Sequence, residues 1–148
     1  MSKSKKNIKY LSQLRGDKKQ PLLSIWTVVT CNNLHELPQI VKLAKELGVD
    51  YITLQPFLSN WGKEEMKKYT NSVKVHPNSE ALAVALDEAK QVAKQNSIDL
   101  NIHSGDFYSK TKKCPWAWKS AHISANGDVV PCSIIADSDI VKTGNVFE

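Results

Sequence analysis

The residues of this chain best suited to chemistry are its cysteines, of which there are three. Two of them, Cys114 and Cys132, bracket the stretch CPWAWKSAHISANGDVVPC, and Cys31 stands far upstream. Asn126-Gly127 is a strong signal for a two-residue hairpin turn, because a type I′ turn needs positive φ at both central positions. With that pair as the turn, Cys132 falls across from Ala121. Cys114 lies seven residues before Ala121, with Pro115 bending the chain between them. The two thiols are then expected to meet at the open end of the hairpin, with Trp116 and Trp118 placed to shield them from water. Paired thiols could form a disulfide, which a reducing compartment disfavours. They could bind zinc, but neither has a neighbour at the usual C-x₂₋₄-C spacing. They could hold part of an iron–sulfur cluster, which normally takes four thiolates. Cys31, His103 and His122 are the remaining candidate ligands, and zinc at the two cysteines plus a histidine stays open. So does a pair of buried thiols with no ligand role.

Other elements must position these groups. The 148 residues, 41% hydrophobic and 24% charged, have globular values and are long enough for one domain, or one domain with a small appendage. No apolar run approaches the roughly 20 residues that span a bilayer. The N-terminus MSKSKKNIKY has basic residues without an apolar region behind them, so neither a membrane nor a secretory route is expected and a cytoplasmic chain is. The net charge of +5 suggests nucleic acid, but residues 1–19 alone sum to +6 and the rest to −1. An excess confined to one end is not a basic binding face, and nucleic acid is not expected as a partner.

Ile8, Leu11 and Leu14, with Tyr10 beside them, predict a short amphipathic helix over 5–15 that Gly16 ends. Residues 22–30, LLSIWTVVT, read as a buried strand. Leu34, Leu37, Ile40, Val41, Ala44 and Leu47 recur at helical spacing, with Asn33 and Glu36 resembling a capping box and Pro38 delaying the helix start. Residues 49–56 form a second strand. A polar insertion over about 60–78, holding Trp61, is partly helical. Ser79 caps a helix whose buried stripe is Leu82, Leu86, Ala89, Val92 and Ala93, and 98–103 is a third strand. A helix in each strand-to-strand connection predicts a parallel sheet with right-handed crossovers. The first strand has no charge or proline to protect an exposed edge. The expected division is a basic N-terminal helix and loop at 1–20, an α/β segment at 21–104 and a small hairpin subdomain at 105–148.

The cysteine stretch, followed by TGNVFE, resembles the opening of the SPASM domain of radical S-adenosylmethionine enzymes. That family opens with a cysteine, 9 to 15 residues, a glycine, four residues and a cysteine. Here Cys114 is followed by twelve residues, Gly127, four residues and Cys132. The aromatic pair after Cys114, Gly127-Asp128, Pro131-Cys132 and Gly144-Asn145 also match. Upstream, Asn33, Glu36-Leu37 and Gly48-Val49-Asp50 are similar to the later units of that family's partial TIM barrel. The resemblance implies a partial TIM-barrel-like parallel βαβαβ segment followed by a SPASM-like hairpin. It implies that Cys114 and Cys132 supply part of the ligand set of an auxiliary [4Fe-4S] cluster. It implies that the ends near Cys31–Asn33 and Gln55 face the barrel mouth. In full-length relatives, S-adenosylmethionine is cleaved to act on a peptide or small-molecule substrate. The CxxxCxxC loop that holds the cleaving cluster is absent from this sequence, so no radical chemistry is expected from these residues alone and no catalytic residue is named. A polypeptide supplying the front half of the barrel is the expected partner. The alternative is a small non-enzymatic metal-binding or assembly module.

Overall fold

The computed structural model describes residues 2–18, 20–56, 63–103, 119–133 and 137–148. The chain divides into two compact units, one of residues 1–57 with 74–104 and one of residues 58–73 with 105–148. Trp61, Cys114, Pro115, Trp116 and Trp118 lie outside the described residues.

The first unit contains helix α1 (Lys3–Arg15), strand β1 (Ser24–Val28), helix α2 (Leu37–Glu46), strand β2 (Tyr51–Gln55), helix α4 (Glu80–Gln95) and strand β3 (Asp99–Ile102). Helix α3 (Glu64–Val73) belongs to the second unit. β1, β2 and β3 form one parallel sheet in that order, with Ile25 beside Ile52 and Ile52 beside Leu100. The helical connections thus produce the parallel topology expected of them.

Side chains alternate across a strand, so the register sorts the sheet into two faces. Ile25, Ile52, Leu54 and Leu100 join Leu37, Val41 and Ala44 of α2 and Leu82, Ala85 and Ala89 of α4 in a single core. The opposite face carries Ser24, Trp26, Tyr51, Thr53, Gln55 and Asn101, none of which belongs to that core. One face is therefore covered by the two helices. The other is polar and aromatic.

β1 is shorter than the apolar run predicts, and Asn33 accounts for it. Its Nδ2 donates to the Val28 carbonyl at 2.9 Å, and its Oδ1 accepts from the Thr30 amide at 2.8 Å. These bonds turn the chain out of the strand. They also occupy the side chain expected to cap the next helix, so no capping box forms. Asn33 instead precedes a 3₁₀ turn, Leu34–Glu36, with no side-chain cap bond, and α2 begins at Leu37 with Pro38 in its first turn. Ser79 does cap α4, accepting from the Leu82 amide at 3.3 Å.

α1 is a helix as predicted, but only Ile8 of its apolar residues packs on the core. Tyr10, Leu11 and Leu14 are all more than half exposed. Polar groups attach it instead. Ser12 Oγ donates to the Gly48 carbonyl at 2.9 Å, and Arg15 pairs with Asp50. Gly48 sits at φ +71°, and a Cβ there would collide with Ser12 Oγ, so glycine meets both a positive φ and a close approach. Asp50 also accepts from the Leu23 amide at 2.6 Å. That backbone bond, aided by Arg15, holds its carboxyl below the usual carboxylate range. The carboxylate thereby ties α1, the entry to β1 and the entry to β2 together.

Candidate metal centre

The second unit contains a small antiparallel sheet of β4 (His122–Ile123), β5 (Asp128–Val130) and β6 (Gly144–Asn145), in that order. β4 and β5 form the expected hairpin, but His122 pairs with Val130 and Ile123 with Val129. The register is one residue away from that of a two-residue Asn-Gly turn. Gly127 takes φ +82°, whereas Asn126 is not among the positive-φ residues. The Gly127 amide donates to the Ser124 carbonyl at 3.0 Å. The loop is thus a three-residue connection, a tight turn closed by one left-handed glycine. Ser124 favours it, since its Oγ accepts from the amides of Asn126 at 3.3 Å and Asp128 at 3.1 Å. Continued outward, this pairing sets Cys132 against Ser120 rather than Ala121.

β6 locks the tip. Asn145 Nδ2 donates to the Asn126 carbonyl at 3.1 Å and to Asp128 Oδ1 at 2.8 Å, while its Oδ1 accepts from the Phe147 amide at 2.9 Å. Lys142 Nζ reaches the same Asp128 oxygen at 2.7 Å. The Lys142 bond, then those of Asn145 and Ser138, lower the Asp128 pKa; the Asp128 bond in turn raises that of Lys142. The Phe147 ring lies over Gly127 and leaves no room for a Cβ there. Lys63, just before α3, pairs with Asp137 and ties that helix to this unit.

Cys132 lies two residues beyond the end of β5, in a single β-bridge. It is half-buried and not in a disulfide, beyond Val130, which is fully buried. A thiol held next to a rigid hairpin and partly screened from water suits a soft metal centre. Its expected companion Cys114 lies outside the described residues. Among the described residues, no three of His, Cys, Asp and Glu come together as a metal site. Cys31 and His103 belong to the first unit, and His122 sits half-buried in β4. Cys31 is exposed, with its Sγ 3.5 Å from Asn32 Oδ1. It borders an open groove of about 550 Å³ shared with Leu34, His35, Glu80, Val84 and Glu88.

Residues 114–148 match the family model of SPASM, an iron–sulfur cluster-binding domain. No curated protein matches the chain. The SPASM match begins at Cys114 and includes Cys132, and the three-stranded sheet described above lies within it. The second unit thus carries a segment similar to an iron–sulfur cluster-binding domain, and Cys114 and Cys132 are the cysteines within the matched residues. No helix among the described residues is long and apolar enough to cross a membrane.

A second constellation was not anticipated from sequence. On the polar face of the parallel sheet, Trp26 Nε1 donates to Gln55 Oε1 at 2.8 Å, and the Trp26 ring meets His103 edge-on with centroids 5.4 Å apart. Gln55 was expected near a site; Trp26 and His103 were not placed with it. The signal was present, since residues at one parity on adjacent parallel strands share a face, but it needs the register to be read.

Proposed function

We propose that the chain is the C-terminal part of a radical S-adenosylmethionine–SPASM enzyme system. Cys114 and Cys132 supply two thiolates to an auxiliary [4Fe-4S] cluster. The family match over 114–148 carries this reading. The donor set fits in kind, as cysteine thiolates are the ordinary ligands of such clusters. The two cysteines supply two of the four thiolates that such a cluster normally takes. When bound, the cluster supplies redox or Lewis-acid chemistry. The residues of this chain hold and shield it, with the Asn145 clamp fixing the strand that leads to Cys132. The parallel sheet forms part of a TIM-type barrel, and its polar face, with Trp26, Gln55 and His103, lines the side where a peptide or small-molecule substrate binds.

Anaerobic reconstitution with iron and sulfide tests the reading. The expected product is brown, with iron and sulfide lost together in Cys114→Ser and Cys132→Ser and retained in Cys31→Ser. Colourless protein carrying zinc, with the same two variants losing it, would overturn the cluster in favour of a small zinc module.

A second reading is an assembly module that pairs with a separate polypeptide supplying the front half of the barrel. The outer edge of β1 favours it, since no strand among the described residues pairs there. Co-purification with a CxxxCxxC-bearing polypeptide supports it, and a monomer that never acquires such a partner counts against it.

A further inference from the structure

We infer that Asn126 is a deamidation site and that β6, with the residues behind it, holds the reaction in check. The inference concerns the hairpin alone and does not depend on a bound cluster.

Asn126-Gly127 is the only Asn-Gly pair in the sequence. The chemistry is intramolecular. The Gly127 amide nitrogen loses its proton and attacks the side-chain carbonyl carbon of Asn126, and ammonia leaves. The cyclic succinimide so formed takes up water at either of its carbonyls. One product is aspartate. The other is isoaspartate, in which the main chain runs through the former side chain. Glycine favours the attack because it has no Cβ to crowd the nitrogen. Asn126 itself is exposed.

The fold restrains that attack. Bringing the two atoms together rotates the planar peptide unit that joins Asn126 to Gly127. Both ends of that unit are held. Its carbonyl accepts from Asn145 Nδ2 at 3.1 Å, and its N–H donates to the Ser124 carbonyl at 3.0 Å. The next carbonyl, that of Gly127, accepts from the Val146 amide at 2.9 Å. The Phe147 ring lies over Gly127, which is buried although its neighbour is exposed. Base therefore has poor access to the proton that must be removed. Apart from Ser124, every one of these restraints comes from residues 145–147. Local release of that segment frees the reactive pair. The product matters to the hairpin, because isoaspartate adds a methylene to the main chain inside the loop. Loop length sets strand register, so the pairing of His122 with Val130 is disturbed.

The test incubates the full chain in mildly alkaline buffer. Peptide mapping by mass spectrometry follows the amide-to-acid change, and enzymatic methylation marks isoaspartate. Asn78-Ser79 and Asn96-Ser97 of the first unit serve as internal references. In urea, Asn126 should react faster than either reference, and in the folded wild type much more slowly than in urea. Asn145→Ala should raise the folded-state rate about 5–30-fold by populating the open loop, with both references unchanged. Phe147→Ala keeps the Asn145 side chain and should raise it by a smaller factor. Equal rates at Asn126 in folded and urea-treated wild type would overturn the inference. So would no rise in either variant, or a rise at the references as large as that at Asn126.

Discussion

Asn145 and Asp128 lie side by side on neighbouring strands, and the carboxamide of the first donates to the carboxylate of the second at 2.8 Å. The same carboxamide holds the hairpin loop through the Asn126 carbonyl, so one side chain joins β6, β5 and the turn between β4 and β5. Replacing it with alanine removes three hydrogen bonds. Asn145→Ala should destabilise the second unit by about 1–2 kcal/mol, since the freed groups are partly reachable by water. Hydrogen exchange should speed up at the amides of Gly127 and Val146 and stay unchanged at Ile52.

The ion pair of Asp128 and Lys142 gives that sheet a pH dependence with two limbs. The folded pKa of Asp128 is lowered, so its contribution is present above the unfolded value near 3.9 and is lost as pH falls through the folded value. The folded pKa of Lys142 is raised, so its contribution is present below an unfolded value of about 10.4 and is lost as pH rises through the folded value. Lys142→Met should flatten the alkaline limb and weaken the acid one. Denaturation monitored across pH, with the wild type as reference, checks both signs.

Asp50 anchors the first unit. Its partner Arg15 has a side chain only 11% exposed, with its Nε already lacking a hydrogen bond. Asp50→Ala would leave the guanidinium without its carboxylate and the Leu23 amide without its acceptor. A loss of about 2–3 kcal/mol is expected, as for a partly buried pair broken from one side. Asp50→Asn keeps an acceptor for Leu23 and should lose less. Urea denaturation followed by circular dichroism would rank the two.

On the proposed reading, a cluster held by Cys114 and Cys132 would be an auxiliary one and would not cleave S-adenosylmethionine. Reconstituted protein mixed with dithionite and S-adenosylmethionine should release no 5′-deoxyadenosine above a protein-free control. Chromatographic detection of the nucleoside above that baseline would show that a CxxxCxxC loop is not required for the cleavage.

Long periodic segments made the first unit readable. Val41, Ala44 and Leu37 of α2, and Leu82, Ala89 and Ala93 of α4, are buried where their spacing placed them. The parallel sheet followed from the helical connections. Short-range choices were harder, because several local partners compete for one residue. Asn33 had the sequence of a cap, yet Val28 and Thr30 claim its side chain. Asn126-Gly127 had the sequence of a two-residue turn, yet Ser124 from within the hairpin and Asn145 from β6 favour the longer loop. The Gly144-Asn145 pair was visible as part of a motif, but nothing local showed that it would form a third strand. The clamp of Asp50 on Leu23 and Arg15 joins residues 27 and 35 positions apart, and no periodic pattern marks it.

The two-sidedness of the parallel sheet separates two kinds of mutational cost. A change at Ile52 or Leu54 disturbs packing throughout the first unit. A change at Ser24, Trp26 or Asn101 meets water first, and the interlocked side chains behind the strands scarcely register it. What the molecule greets on that side can therefore drift from one descendant to the next, while the architecture carrying it is inherited unaltered.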